Sequence, residues 1–492
     1  MPRRPRSPGG ARGAVVGTVG TRRPAYRREV DALQPVGPAP TVAVVGGGVA
    51  GLAAALEVSR LRPDARVVVL EAGARLGGKV AVSEVGGLPV DEGADSMLAR
   101  VPDGVALARD AGLGDELVSP AAGQAGLWTR GRLRPLPSGT VMGVPGDLEA
   151  LARSDVLSAR GLARVLRDLV QPGSATTEDV AVGDLVGRRL GREVVERLVD
   201  PLLGGVYAGR ADRLSLHATL PQLAGPVSRS RSLLLATRSA RSSGVPYTGP
   251  LFRGLPGGLG RLPAAVAAAS GAQLRLGTTV RGLARTPGGW RLELGSRAAP
   301  GHLDADAVVL AVPAAPAARL LAGLVPAAAA ELAALEYASV GIVTLVLDGP
   351  PPGLGSGYLV PAVEGRTTKA VTFTSRKWAH YPRDVSVVRA SIGRHGEPAD
   401  LQRDDAELVA VVLDELAQAV GPVGRVLDTR VVRWGGGLPQ YAVGHLDRVR
   451  RVRAAVAGLP GLAVAGAAYD GVGVPACARS GRAAARAVCA QQ

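Results

Sequence analysis

Six residues constrain this chain more than any other stretch: Gly46-Gly47-Gly48-Val49-Ala50-Gly51, a GxGxxG placed between an apolar run and a helix-forming run. Residues 41–45 (TVAVV) predict a short buried strand. Residues 51–61 (GLAAALEVSRL) predict a helix with one apolar stripe, and residues 66–70 (RVVVL) a second buried strand. Together they make a βαβ unit of ordinary length. In such a unit the glycines allow a tight turn and let the backbone approach a pyrophosphate, whose charge sits at the helix N-terminus. Glu71 follows Gly51 by 20 residues, at the end of the second strand, where an acid accepts hydrogen bonds from a ribose. The pattern predicts a Rossmann-like α/β fold that holds a dinucleotide.

Several classes are excluded. At 492 residues with 47% apolar and 20% charged composition, the chain suits two or three domains with a sizeable core. Its net charge of +16 is carried by arginine, for the only lysines are Lys79, Lys369 and Lys377. GC-rich coding accounts for most of this excess, which still favours anionic ligands. The basic residues do not alternate with aromatics, so nucleic acid is not an expected partner. Two cysteines, Cys477 and Cys489, and five scattered histidines offer neither a disulfide framework nor a metal site. No run reaches the roughly 18 apolar residues of a membrane span, and the most apolar region, 305–347, is broken by Pro313, Pro316 and Pro326. Residues 1–40 lack the apolar core of a signal peptide and read as a disordered Arg/Pro-rich tail. A cytoplasmic protein is expected, with contact to a membrane surface left open.

Further along, residues 147–200 carry helical patterning, and 225–250, rich in Ser, Arg and Gly, read as a loop or mobile segment. Strand signals return at 273–280, 290–294, 307–312, 340–347 and 385–392, and helices at about 403–420 and 475–490 close the pattern.

After Glu71 comes Ala72-Gly-Ala-Arg75-Leu-Gly77-Gly78-Lys79. This resembles the extended fingerprint of glutathione-reductase-like FAD proteins, in which a Gly-Gly pair and a basic neighbour lie beside the pyrophosphate and flavin. The run from Asp306 to Pro313 resembles that family's returning strand. At the C-terminus, LAVAGAAYDGVGVPACARSGRAAARAV ends a strand at Gly466, turns at Asp470 and starts a helix near Pro475, a residue suited to a first helical turn.

Seven segments in order resemble the bacterial protoporphyrinogen/coproporphyrinogen oxidase family: DEGADSML (91–98), LRPLPSGTVMGVP (133–145), DPLLGGVYAG (200–209), RGLPGGLGRLP (253–263), FTSRKWAH (373–380), RWGGGLPQYAVGH (433–445) and AYDGVGVPACARSGRAA (468–484). The resemblance implies FAD contacts at Gly46, Gly47, Gly48, Val49, Ala50, Gly51, Glu71, Ala72, Lys79, Gly93, Ala94, Asp95, Ser96, Val280, Val472, Gly473 and Val474, with Val280 at the end of its strand. It implies a flavin domain (41–115, 256–330, 455–492), a discontinuous mixed-sheet substrate domain (116–146, 216–255, 331–454) and a helical subdomain (147–215). It implies a porphyrinogen as substrate, six electrons removed in three cycles, and molecular oxygen as acceptor. Transient contact with other haem-synthesis enzymes belongs to the same picture.

Gln124-Ala125-Gly126-Leu127 stands where mitochondrial-type members place an arginine for a substrate carboxylate. The stretch resembles the soluble Gram-positive type, which implies coproporphyrinogen III as substrate. Protoporphyrinogen IX is the alternative, and another flavin amine oxidase or desaturase, or a flavin-bearing porphyrin carrier, are the rivals. Arg132 and Arg134 are the candidates to meet substrate propionates. No acid–base residue is named: Lys377 is expected to pair on the surface and His445 to cap or hydrogen-bond locally. Cys477 lies in a segment that resembles the family with non-covalent flavin.

Overall fold

Val42 to Val45 and Val67 to Leu70 are buried on both faces, as continuous Val-rich runs in a parallel sheet require. In the computed structural model, which describes residues 39–171, 173–243, 247–296, 299–353 and 355–491, they form the centre of a five-stranded sheet. Its spatial order is Gln273–Arg275, Arg66–Leu70, Thr41–Val45, Ala307–Leu310, Leu462–Val464, parallel throughout. Apart from its last two residues, the tail anticipated over 1–40 lies outside the described residues.

One face of the sheet is covered by the helices Val49–Leu61 and Val474–Cys489, through Ala50, Ala54, Val58, Ala485 and Val488. These helices approach closely because their contact residues are small: a Cβ on Gly481 would lie 2.0 Å from the Ala50 carbonyl oxygen. The other face packs on a three-stranded antiparallel sheet (Val280–Thr286, Gly289–Gly295, Pro300–Ala305) and on helices that include Ala314–Leu321 and His445–Ala457.

Residues 273–280 are not one strand. Gln273–Arg275 joins the parallel sheet, Gly277 turns the chain at φ +60°, and Val280 opens a strand of the antiparallel sheet. Val280 therefore begins a strand where the sequence suggested that it ends one.

A seven-stranded sheet runs Val426–Pro439, Tyr337–Asp348, Val385–Ile392, Thr368–Phe373, Gly357–Leu359, Ala125–Thr129, Arg132–Pro135. Only the pairing of Gly357–Leu359 with Ala125–Thr129 is parallel. Helices gather over residues 148–242 around Leu151, Val165, Leu198, Leu223 and Leu233. The segment expected as a loop over 225–250 is in large part helical, in Pro221–Arg229 and Leu233–Ser242. Its serines misled because they do helical work: Ser232 caps the second helix by accepting from the Leu235 N–H. Among the described residues no helix is long and apolar enough to cross a membrane.

Candidate active site

The fingerprint loop is shaped by backbone approach. Gly46, at φ +107°, donates to the Leu70 carbonyl at 2.8 Å, and a Cβ there would sit 2.5 Å from the Ala311 oxygen. A Cβ on Gly51 would lie 1.8 Å from the Gly46 oxygen. Gly48 differs, because a Cβ there would meet nothing within 4 Å. It is the N-cap of the Val49–Leu61 helix, whose first turn holds no acid and no side-chain cap.

Glu71 reaches back into this loop. One carboxylate oxygen accepts from the Gly47 N–H and the other from the Gly73 N–H, both at 2.7 Å, and each keeps a lone pair for a further donor. Ala72 is exposed beside it. The Gly277 and Thr278 amides donate to Gly73 and Glu71, which brings the start of the Val280 strand to the same edge. Gly77 donates to the Gly47 carbonyl at 2.8 Å, so the second glycine pair lies against the first. The loop from Gly93 closes over Lys79, for a Cβ on Gly93 would be 2.0 Å from the Lys79 oxygen.

Lys79 and Cys477 lie within electrostatic reach of each other. The Lys79 side chain is reachable by solvent yet crowded by protein; the crowding lowers its pKa, and the nearby thiol works against that. Burial pushes the Cys477 thiol up to about 11, with Lys79 opposing.

Asp95 is the most heavily partnered member of the set. Burial disfavours its charge, but Lys377 and Arg389 outweigh burial and hold the carboxyl at about 2. The Lys377 ammonium lies 3.0 and 2.8 Å from the two carboxylate oxygens and 3.1 Å from Ser96 Oγ. Arg389 donates to the Gly93 carbonyl at 2.6 Å and stands 3.6 Å from Asp95. Lys377 thus pairs inside the protein, which corrects the surface pairing expected from sequence. Asp91, below this loop, accepts from the Leu259 and Gly260 amides at 3.0 Å; burial raises its carboxyl to about 6.

The C-terminal segment supplies the opposite wall. Gly466, Gly471 and Gly473 all have positive φ, and a Cβ on Gly466 or Gly473 would meet nothing within 4 Å. Pro475 lies in the first turn of the Val474–Cys489 helix, which also lacks an acid there. Val474 packs beside Val49 and Met97, and Val472 against the cluster of Leu203, Tyr207 and Tyr441. Tyr441 donates to the Ala467 carbonyl at 2.5 Å and stacks on His445 at 3.9 Å. His445 neither caps nor bonds a side chain: it is 2% exposed, and burial lowers its pKa to about 4, with the Tyr469 backbone opposing. Its stacking on Tyr441 took the place of the local role expected from sequence.

These residues fit FAD. Two helix N-termini without acids, each behind a glycine whose Cβ direction is open, suit an anionic dinucleotide at one end and a flavin ring at the other.

The two arginines expected to meet propionates are engaged elsewhere. Arg134 is 7% exposed and donates to the Asp155 carbonyl at 2.7 Å, to its carboxylate at 3.2 Å and to the Thr129 carbonyl. Arg132, exposed on the same edge strand, pairs with the same Asp155. Their guanidiniums join the sheet edge to the helical region. Sequence reasoning missed Arg389 and Asp91, since nothing local distinguishes a charged residue whose partner is far along the chain.

Comparison with known proteins agrees with this geometry. The family profile of flavin-containing amine oxidoreductases matches residues 49–489. The chain belongs to that family. Within it, the chain is 34% identical to coproporphyrinogen III oxidase of Bacillus subtilis over 465 residues, covering 90% of this chain and 96% of the other. It is 37% identical to coproporphyrinogen III oxidase of Mycobacterium tuberculosis over 441 residues, covering 88% and 94%. The crystal structure of a candidate protoporphyrinogen oxidase from Exiguobacterium superposes with a TM-score of 0.82 at 34% identity, covering 92% of this chain and 99% of that one. This flavin-containing amine oxidoreductase is therefore an FAD-dependent member of the porphyrinogen oxidase branch, with the α/β fold expected from its fingerprint.

Proposed function

We propose that the protein oxidises coproporphyrinogen III to coproporphyrin III, with protoporphyrinogen IX as the second reading. The observation that supports this most is the likeness to the Bacillus subtilis enzyme, which runs through 96% of that enzyme's length. The reaction removes six electrons and six protons in three two-electron steps. Each step reduces one oxygen molecule to hydrogen peroxide, so three of each balance one porphyrin. Bound FAD supplies the two-electron acceptor that oxygen regenerates.

The protein's own contribution in this reading is placement. Gly46–Gly51, Glu71, Ala72, Lys79, Gly93–Ser96, Val280 and Val472–Val474 hold the cofactor. The N-terminus of the Val474–Cys489 helix favours negative charge at the flavin pyrimidine. Leu359 and Val472, half-buried against one apolar cluster, would offer apolar surface to a macrocycle in this reading, and pyrrole protons leave to solvent without a dedicated base. The cofactor residues belong to the proposed flavin domain (41–115, 256–330, 455–492), and residues 116–146, 216–255 and 331–454 form the proposed substrate domain, bordered by helices over 147–215. The work is done in the cytoplasm. Contact with an acidic membrane surface fits the Ala159–Val170 helix, where Leu166, Leu169 and Val170 are exposed beside Arg160 and Arg167.

The test is porphyrin fluorescence and peroxide release from the FAD-loaded protein, under air, with each porphyrinogen supplied separately. Faster oxidation of coproporphyrinogen III is expected. Preference for protoporphyrinogen IX would move the second reading forward, and oxidation of neither would overturn both.

A further inference from the structure

A small cavity lies between the Asp200–Tyr207 helix and the strands Gly357–Leu359 and Thr368–Phe373. Its walls include Asp200, Gly204, Arg210, Val360, Lys369 and Arg394, and its volume is about 20 Å³. That exceeds the roughly 10–15 Å³ one water needs, so the cavity admits a small polar group and no macrocycle.

Two basic side chains, Lys369 and Arg394, line it without a direct ion pair. Lys369 is 7% exposed; its ammonium donates to the Gly393 carbonyl at 2.8 Å and has two N–H bonds left. Arg394 makes only long contacts, to the Arg366 carbonyl at 3.2 Å and the Val360 carbonyl at 3.3 Å. Neither forms an ion pair among the described residues. Arg210, by contrast, pairs with Glu397 and stands 4.0 Å from Asp200, which in turn accepts from the Ala211 amide at 2.6 Å. Glu397 is thus engaged by Arg210, and Glu397, Asp400 and Asp200 reach Arg394 only at longer range. Burial lowers the pKa of both groups, Lys369 to about 7 with Arg394 adding to the effect, and an entering carboxylate would offset that cost for both.

The cavity borders the candidate active site. Gly204 lines it, and the next residues, Gly205 and Val206, are exposed. A Cβ on Gly205 would lie 3.6 Å from Leu359, which packs in the same apolar cluster as Tyr207 and Val472.

We propose that this cavity is a carboxylate-binding site formed by Lys369 and Arg394. The carboxylate has two possible sources: a propionate arm of the bound tetrapyrrole, or a free small carboxylate. The first source rests on the porphyrinogen oxidase reading, and the second does not.

The experiment compares the FAD-loaded wild type with Lys369→Met and Arg394→Gln. Lys369→Met removes a buried charge and keeps most of the side-chain volume, so it should fold; Arg394→Gln is the independent second variant. Two readouts are taken: KM and kcat for coproporphyrinogen III, and the melting shift produced by sodium propionate over sodium chloride at equal ionic strength. The expected result is a KM raised roughly tenfold in each variant with kcat little changed, the size set by losing one charge-assisted hydrogen bond. An unchanged KM with a propionate shift present in wild type and lost in both variants assigns the site to a free carboxylate. Unchanged KM and no such shift overturns the site while leaving the enzymatic reading intact. A wild type that oxidises neither porphyrinogen overturns that reading instead, and the propionate shift still decides whether the site exists.

Discussion

The loop at Gly46–Gly51 is held mainly by close backbone approach together with the Glu71 carboxylate, whereas the loop at Gly93–Ser96 depends on side chains that arrive from 282 and 296 residues away. In the first, the fit is built from missing Cβ atoms: Gly46, Gly47 and Gly51 each leave room for a neighbour that any side chain would hit. In the second, an acid survives in a crowded place because Lys377 and Arg389 stand beside it. The first kind of construction tolerates no added atom. The second tolerates no lost charge.

The largest effect should come from adding one atom to the first loop. Gly51→Ala places a Cβ 1.8 Å from the Gly46 oxygen, and that oxygen belongs to backbone locked to the Leu70 strand. Neither side can yield without moving the sheet. The expected cost is roughly 3 kcal/mol or more, the upper part of the overpacking range. Thermal unfolding and the FAD content of the purified protein would both fall. Full FAD content with an unchanged melting temperature would show that the loop relaxes, and would break the contrast.

Removing a charge from the second loop should cost nearly as much, but through electrostatics. Asp95→Asn leaves Lys377 and Arg389 side by side without their acid, and breaking such a pair costs about 3 kcal/mol. Lys377→Met is milder because Arg389 remains to hold the carboxylate. The double variant Asp95→Asn with Lys377→Met should recover part of the loss, and a double-mutant cycle of melting temperatures and FAD dissociation constants measures how much. Strict additivity would mean that the pair does not couple the Gly93–Ser96 loop to the segment that carries Lys377.

The same contrast explains what could be read in advance. Glycine spacing, the strand–helix–strand unit and Glu71 are local signals, so the parallel sheet and the candidate cofactor residues stood out in the sequence. The break at Gly277 did not, because QLRLGTTV is apolar enough for one strand and only the sheet each half joins distinguishes them. The Ser/Arg-rich stretch near 232 hid a helix because capping residues and loop residues are the same types. Arg134 stands out in the sequence as a propionate candidate because it borders the LPSG loop, yet it is buried among backbone and carboxylate acceptors that no local signal reveals. Lys377 and Arg389 could not be matched to Asp95 without the fold.

The smallest effect at neutral pH, and the finest test of side-chain construction, concerns His445. Burial first, and Arg448 besides, lower its folded pKa to about 4; the Tyr469 backbone, Asp179 and Asp470 pull the other way and lose. The unfolded imidazole titrates near 6.5. Between those values the unfolded chain binds the extra proton, so stability rises with pH. The stabilisation is fully present above about 6.5 and is lost as pH falls towards 4. His445→Phe keeps an aromatic ring against Tyr441 and has nothing to protonate. Its melting temperature should match wild type at pH 7 and fall less steeply between pH 6.5 and 4. Asp91, raised to about 6, contributes the opposite slope over part of that range, so the informative quantity is the difference between the two proteins, in which Asp91 cancels. Parallel curves would mean that His445 finds a partner for its proton and adds nothing to the pH dependence of stability.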